Sequence, residues 1–391
     1  MPSISPTMKQ LLPIYIVLAF RNAAWMGSVA GPVLPLYVRE LGVDIMDWGL
    51  MSTAMAVGLI LFEGFFGSIS DRVDRKKMII LACIGLGCVF PLYGLVKVVP
   101  FFFYYQLAIG AIAVAIGATS RAIVTDMTTP ETRGTYMSLW WGFFTLGSIL
   151  GPVLGTYIAE ILRYEYAFYF SSVLMFAGAI FFTLSNKLDG KAHVSDGERI
   201  GIVEGFRDLL KISNIRFALT LTLLMYIGLS SINSFFTIYA SEELSISNVV
   251  IGWMLTVSGI VRVIVIPLIG KLSDRIGQKD ILQVGLLVAS VSLFLLPYIS
   301  SSFELWIVYV ILSIGFATSS LNLAMISKDS PTNLSGMLMG LYGSFEDLGF
   351  IIGPLMYGYL WSNYYPGMIF IVAGIFCLLS VLLLFVNKRN A

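Results

Sequence analysis

Apolar runs of about twenty residues recur along the whole chain, and each is the length a helix needs to cross about 30 Å of hydrocarbon. Stretches such as LLPIYIVLAF (11–20) and FCLLSVLLLFV (376–386) are continuous and not alternating. That excludes the strands of a membrane barrel, in which every second residue turns away from lipid. With 58% hydrophobic and 12% charged residues, against about a quarter charged in soluble domains, the chain reads as a polytopic helical membrane protein. Twelve spans are expected, over 11–38, 48–70, 77–97, 101–126, 135–160, 164–186, 214–241, 248–271, 280–300, 304–327, 336–361 and 365–387.

The basic residues orient these spans, because Lys- and Arg-rich loops resist translocation. If the N terminus is cytoplasmic, Arg39, Lys97 and Arg163 face the opposite side and Arg21, Arg121 and Arg262 lie within spans, leaving 18 of the 24 Lys and Arg on the cytoplasmic side. Both termini are therefore expected inside the cell, with the chain in the plasma (cytoplasmic) membrane. The first apolar run follows Lys9 without a small-residue cleavage site and reads as a retained helix.

Several function classes fall away on composition. Cys83, Cys88 and Cys377 sit inside apolar runs and the single histidine, His193, in a polar connector, so no disulfide framework, metal cluster or cofactor is implied. A net charge of +1 with dispersed basic residues offers nothing to nucleic acid. No nucleophile-base set and no phosphate loop is present, so neither an enzyme nor an ATP-driven pump is expected. The energy must come from an ion gradient or from the substrate's own gradient.

The longest hydrophilic segment, 187–213, divides the spans six and six, giving an N-terminal bundle 1–186, a linker 187–213 and a C-terminal bundle 214–391. Within the linker, Ile202, Phe206, Leu209 and Leu210 share one helical face, which suits either a short amphipathic helix on the inner leaflet or a solvated connector. The two bundles echo each other. GSISDRVDRKK (67–77) returns as GKLSDRIGQKD (270–280); Gly49 and Gly252, and Gly67 and Gly270, are offset by 203, while Gly134 and Gly336, Gly151 and Gly353, and Pro152 and Pro354 are offset by 202. The chain is a tandem duplication of a six-helix unit, an arrangement of transporters that hold substrate between their halves.

The charged phrase Gly67, Asp71, Arg72, Asp74, Arg75, Lys76 and Lys77 resembles the loop signature of the major facilitator superfamily, with a degraded copy at Gly270, Asp274 and Arg275. The resemblance covers essentially the whole chain. It implies an all-α membrane protein of twelve transmembrane helices in two six-helix bundles related by pseudo-twofold symmetry, working as a monomer on a small-molecule substrate. It further implies that Asp71 latches onto the eleventh span and that Arg75 pairs with an acid at the end of the fourth, here Asp126. Topology enforcement by the basic cluster is compatible with both roles. The fifth span carries Gly147, Gly151, Pro152 and Gly155 and resembles the glycine-proline motif of proton-coupled drug antiporters. Glycines four apart let helices touch backbone to backbone, and the proline bends the helix. One departure stands out: where the family's fourth span opens on an arginine, this chain has Gln106.

Charges at membrane depth are functional candidates, because each costs a few kcal/mol even on lenient scales. In the family, spans one, four, seven and ten line the cavity, so the resemblance places Arg21, Asn22, Trp25 and Met26 of the first span and Tyr226, Asn233 and Phe235 of the seventh against substrate. Arg21 is alternatively a structural partner of Glu63 or Asp126. Arg121 suits a structural pair, and Arg262 and Glu63 suit gating pairs. Glu346 and Asp347 fall ten and eleven residues into the eleventh span, where desolvation favours the protonated form and a nearby arginine opposes it; either carboxyl is a proton carrier, with Glu63 a further candidate and sodium an open alternative. Two readings of the chain follow: a proton-coupled exporter of hydrophobic or amphiphilic compounds, or a proton-coupled carrier in which Arg21 binds an organic anion.

Overall fold

The computed structural model describes residues 6–25, 28–70, 73–185, 202–328 and 335–389, and it is helical throughout. The first repeat holds α1 (Pro6–Ala24), α2 (Ala30–Glu40), α3 (Ile45–Ser70), α4 (Arg75–Val89), α5 (Leu92–Leu95), α6 (Val99–Asp126), α7 (Pro130–Gly147), α8 (Gly151–Ile161) and α9 (Tyr164–Leu184). After a short α10 (Ile202–Lys211) come α11 (Ser213–Glu242), α12 (Asn248–Ile276), α13 (Gln278–Leu295), α14 (Ser302–Ala317), α15 (Ser320–Lys328), α16 (Ser335–Asn363) and α17 (Met368–Arg389).

Among the described residues ten helical stretches are long and apolar enough to cross a membrane. The two expected spans that fall short are α1 with α2, and α16. Both carry polar chemistry that lowers their hydropathy: Arg21 and Asn22 in the first, Glu346 and Asp347 in the second. In the first span α1 ends at Ala24 and α2 begins at Ala30. The fifth is broken between Gly147 and Gly151, where Pro152 lacks an N–H and its ring crowds the carbonyl of residue 148.

The helices group into two compact units, Met1–Val43 with Ala54–Asp196 and Ser247–Thr256, and Asp44–Thr53 with Gly197–Ile246 and Val257–Ala391. The first turns of α3 group with the second unit and those of α12 with the first. The reason lies in close packing at duplicated landmarks. A Cβ on Gly49 would stand 2.5 Å from the carbonyl oxygen of Pro354, and one on Gly252 would stand 1.9 Å from Thr156 Oγ1 and 2.9 Å from the carbonyl oxygen of Pro152. Trp48 Nε1 donates to the Ser234 carbonyl at 2.7 Å. Thr53 Oγ1 donates to Ile351 O, and Thr256 Oγ1 accepts from Val153 N.

Each unit repeats one packing scheme. In the first, α1 packs on α7 and α9, and α4 packs on α6 and α9; in the second, α11 packs on α16 and α17, and α13 packs on α14 and α17. Large apolar side chains such as Leu61, Leu81, Ile180, Leu184 and Phe303 remain exposed, the surface that a lipid solvent requires. The linker helix departs from the leaflet-bound alternative. Leu209 is fully buried in a cluster with Ile215, Leu219, Leu338 and Leu341, with Phe206 packed against it, so the apolar face of α10 covers the end of its own unit.

Candidate functional site

The charged phrase performs three separate jobs within the first unit. Asp74 caps α4, its side chain accepting from the backbone amides of Lys76 and Lys77, which satisfies two of the four orphan donors of a helix start. Arg75, 4% exposed, places Nη1 2.5 Å from Asp126 Oδ2 at the end of α6. Lys76 reaches the other way, to the Ser185 carbonyl oxygen at the end of α9, where a cation meets the negative end of the helix dipole. In the degraded copy Gly277, with φ 116°, stands where Asp74 would be and caps without a side chain. Asp274 and Arg275 are exposed, with no ion pair among the described residues. Asp71 and Arg72 lie outside the described residues, and Gly67 sits in the last turns of α3.

The glycine ladders are contact faces. In the first unit, a Cβ on Gly147 would come within 2.2 Å of Ala19 O, on Gly151 within 1.5 Å of Ser28 Oγ and on Gly155 within 2.1 Å of Val29 O. The α7–α8 span therefore lies backbone to backbone on the first span. The second unit repeats this: Gly349 lies against Tyr226, and a Cβ on Gly353 would meet Ser230 Oγ at 1.8 Å. Ser28 and Ser230 are themselves offset by 202, a duplicated pair that sequence reasoning missed.

Against the first ladder stands a column of alternating cations and rings. Arg21 Cζ lies 5.5 Å from the ring centre of Trp25 and 5.5 Å from that of Phe144. Phe144 stacks on Trp140 at 5.4 Å and 8°, and Arg121 Cζ lies 5.9 Å from Trp140. Trp140 Nε1 donates to Ser120 Oγ. Arg121 closes the column with Nη2 3.1 Å from Glu63 Oε1.

The expectation that Glu63 or Asp126 partners Arg21 is therefore corrected, since Glu63 is taken by Arg121 and Asp126 by Arg75. Arg21 is 6% exposed and has no ion pair or hydrogen bond among the described residues; its Nε is sealed and unbonded. The charged side chain felt at Arg21 is another cation, Arg121. Burying an uncompensated ion costs several kcal/mol even after relaxation, and each ring face returns roughly 0.5–2 kcal/mol, so the deficit is not closed. Beside it, Asn22 Nδ2 donates to Phe144 O while Asn22 Oδ1 is buried and unbonded. The carbonyl acceptor fixes which end of that amide is which.

The equivalent place in the second unit has the opposite character. Glu346 and Phe144 are offset by 202, as are Tyr342 and Trp140. Here the Tyr226 and Tyr342 hydroxyls stand within electrostatic reach of Glu346, with Thr222 beside Tyr342. Asn322 Nδ2 donates to Thr222 Oγ1 at 2.7 Å and to Ala218 O at 3.2 Å. A half-buried carboxyl thus ends a polar chain that runs through α16, α11 and α15. Asp347, one residue on, is also half-buried. Trp140, Phe144, Tyr342 and Asn322 were not singled out from sequence, although the offset that pairs Phe144 with Glu346 was available.

Other expected site residues are placed differently. Phe235 is fully buried between Tyr357 and Trp361 and packs the core of the unit, so it lines nothing. Asn233 is exposed. Arg262 lies on an exposed stretch of α12 and forms no ion pair among the described residues. Met26 lies outside the described residues.

Two copies of one helical packing scheme, each with ionisable side chains at membrane depth, are the architecture of a membrane transporter. The chain belongs to the Major Facilitator Superfamily, whose family model matches residues 16–223 and 218–391. It is 27% identical over 370 residues, 90% of each chain, to the multidrug resistance protein MdtG of Escherichia coli O17:K52:H18. To MdtG of Klebsiella pneumoniae it is 26% identical over 372 residues, 90% of this chain and 89% of the relative. Among solved structures it resembles a bacterial homolog of the human lysosomal transporter Spinster, with TM-score 0.81, 14% identity and coverage of 99% and 98%. It also resembles the nucleoside transporter NupG, with TM-score 0.79, 13% identity and coverage of 96% and 99%.

Proposed function

We propose that the chain is a proton-coupled exporter of small hydrophobic or amphiphilic compounds, working by alternating access as a monomer in the cytoplasmic membrane with both termini inside. The observation that carries the coupling is the half-buried Glu346 set beside the hydroxyls of Tyr226 and Tyr342 at the end of a polar chain. A carboxyl whose surroundings change between a buried and a water-exposed setting changes its affinity for protons, which is what coupling needs. The efflux direction is supported by the relatives named multidrug resistance proteins. Arg75 with Asp126, and the caps made by Asp74 and Lys76, hold the moving loop to its own bundle, and Asp71 is the latch to the other.

The test is reconstitution in liposomes that carry an internal pH dye and an imposed pH gradient, challenged with amphiphilic dyes. Wild-type vesicles release protons when dye is added. Glu346→Gln removes the dye-driven proton flux while dye binding persists; unchanged flux in both Glu346→Gln and Asp347→Asn overturns the coupling assignment. A second reading, uptake of an organic anion by proton symport, is favoured by one observation, the uncompensated Arg21. The direction of proton movement accompanying an added acid separates the two.

A further inference from the structure

We propose that Arg21 and Asn22 form a subsite for an aromatic acid that bears a hydroxyl beside its carboxylate, so that the substrates of this transporter include such anions. The proposal rests on the transport reading but not on its direction. Three observations converge. Arg21 is more than nine-tenths buried as a residue, has no counter-ion or hydrogen bond among the described residues, and lies within electrostatic reach of another cation, Arg121, and of the Cys83 thiol. Its terminal nitrogens, unlike Nε, are not among the sealed unbonded atoms, so a planar carboxylate can meet the fork side-on. Next to it the sealed Oδ1 of Asn22, 3% exposed as a residue, is an acceptor in want of a donor. The unmet demands are therefore opposite in sense and adjacent: an acceptor with negative charge for Arg21, and an O–H for Asn22.

The rings complete the specificity. Trp25 and Phe144 both present themselves to the guanidinium at 5.5 Å, and a flat aromatic acid can lie along them while its carboxylate takes the charge. Trp25 stands past the end of α1, between backbone bonds from Trp25 N to Asn22 O at 3.3 Å and from Ser28 N to Trp25 O at 2.8 Å. The second repeat lacks all of this: residues 223 and 224, offset by 202 from Arg21 and Asn22, are both leucine.

The experiment uses the full chain purified in detergent with radiolabelled salicylate as the probe. Competition by methyl salicylate, which lacks the negative charge, and by ortho-anisate, which lacks the donor, reads the two contacts separately. Salicylate binds saturably; the ester, which loses a charge-assisted hydrogen bond, competes at least ~10-fold more weakly, and the ether, which loses a neutral bond made in place of the acid's own hydroxyl-to-carboxylate bond, roughly 2–10-fold more weakly. Arg21→Gln abolishes the preference over the ester, and Asn22→Ala abolishes the preference over the ether while sparing the other. Arg21→Gln removes an uncompensated charge, so its unfolding midpoint stays at or above that of the wild type. Should that variant fail to fold, the ester-to-acid ratio on the wild type decides, and an ester that binds as well as the acid overturns the proposal. Unchanged salicylate affinity in Arg21→Gln also overturns it, as does displacement by equimolar chloride, which would assign the site to a small inorganic anion. Salicylate binding that depends on Arg21, without any coupled flux in wild-type vesicles, sinks the transport reading and leaves the subsite standing.

Discussion

The duplicated serine-glycine contacts predict an asymmetric pair of mutant cycles. In the first unit a Cβ on Gly151 would lie 1.5 Å from Ser28 Oγ, 2.6 Å from Ser28 Cβ and 2.8 Å from Ser28 Cα; in the second a Cβ on Gly353 would lie 1.8 Å from Ser230 Oγ, 3.0 Å from Ser230 Cβ and 3.2 Å from Ile227 O. Both single changes to alanine overpack a tight contact, at a cost of about 1–3 kcal/mol. Removing the hydroxyl has different consequences at the two sites. With Ser230→Ala the nearest atom to the new methyl is at 3.0 Å, a gap that shifts of a few tenths of an ångström absorb. With Ser28→Ala the methyl still sits 2.6 Å from carbon, and even Ser28→Gly leaves it 2.8 Å from Cα, about 0.6 Å short of the 3.4 Å at which ordinary contact begins. Ser230→Ala gives up one hydrogen bond to Ile227 O at 2.7 Å, about 1 kcal/mol, and part of the rescue is lost to that. Thermal unfolding of the purified chain in detergent, with all four members of each cycle, reads the coupling directly. Ser230→Ala recovers roughly half of what Gly353→Ala loses, about 1 kcal/mol, and neither Ser28 change rescues Gly151→Ala. A Gly151→Ala chain that unfolds at the wild-type temperature, or one restored by Ser28→Ala, would refute the backbone-contact reasoning.

Three further outcomes follow from the same structure. Asp126→Asn removes a carboxylate paired with Arg75, whose side chain is 5% exposed, so it lowers stability by about 2–3 kcal/mol; Glu63→Gln, in a pair whose side chains are 29% and 43% exposed, shifts it by no more than about 1 kcal/mol, and the two unfolding midpoints measured side by side check the ranking. Leu209→Ala opens a cavity under α10 where the side chain is fully buried, at about 2–4 kcal/mol, and limited proteolysis after the change cuts near residue 210 faster than in the wild type. Lys76→Ala frees the carbonyl end of α9 and increases amide exchange at Thr183–Ser185, leaving the α4 cap made by Asp74 protected.

Reading the chain alone went far because a bilayer leaves few choices. Continuous apolar runs force helices, a fixed offset of 202 or 203 forces duplication, and a loop phrase with Asp74, Arg75 and Lys76 signals where helices end. The nineteen-residue offset from Arg121 to Trp140 says nothing, by contrast, about the stack that joins Arg121 to Trp140 and Phe144, because ring faces meet by helix rotation and not by sequence interval. Phe235 shows the same limit: on a helix that is apolar all round, sequence does not tell a packed face from a lining one.

What the sequence determined by itself was the number and order of the apolar blocks, their division into two copies, and which few residues carry charge where charge is costly. Tertiary structure decided the partners. Arg75 met Asp126 and Arg121 met Glu63, while Arg21 was left with two aromatic faces and no anion among the described residues. The physical reason is range: helix formation and membrane insertion depend on the local composition of one segment, whereas the compensation of a buried charge depends on which side chain from a distant helix arrives within about 4 Å of it.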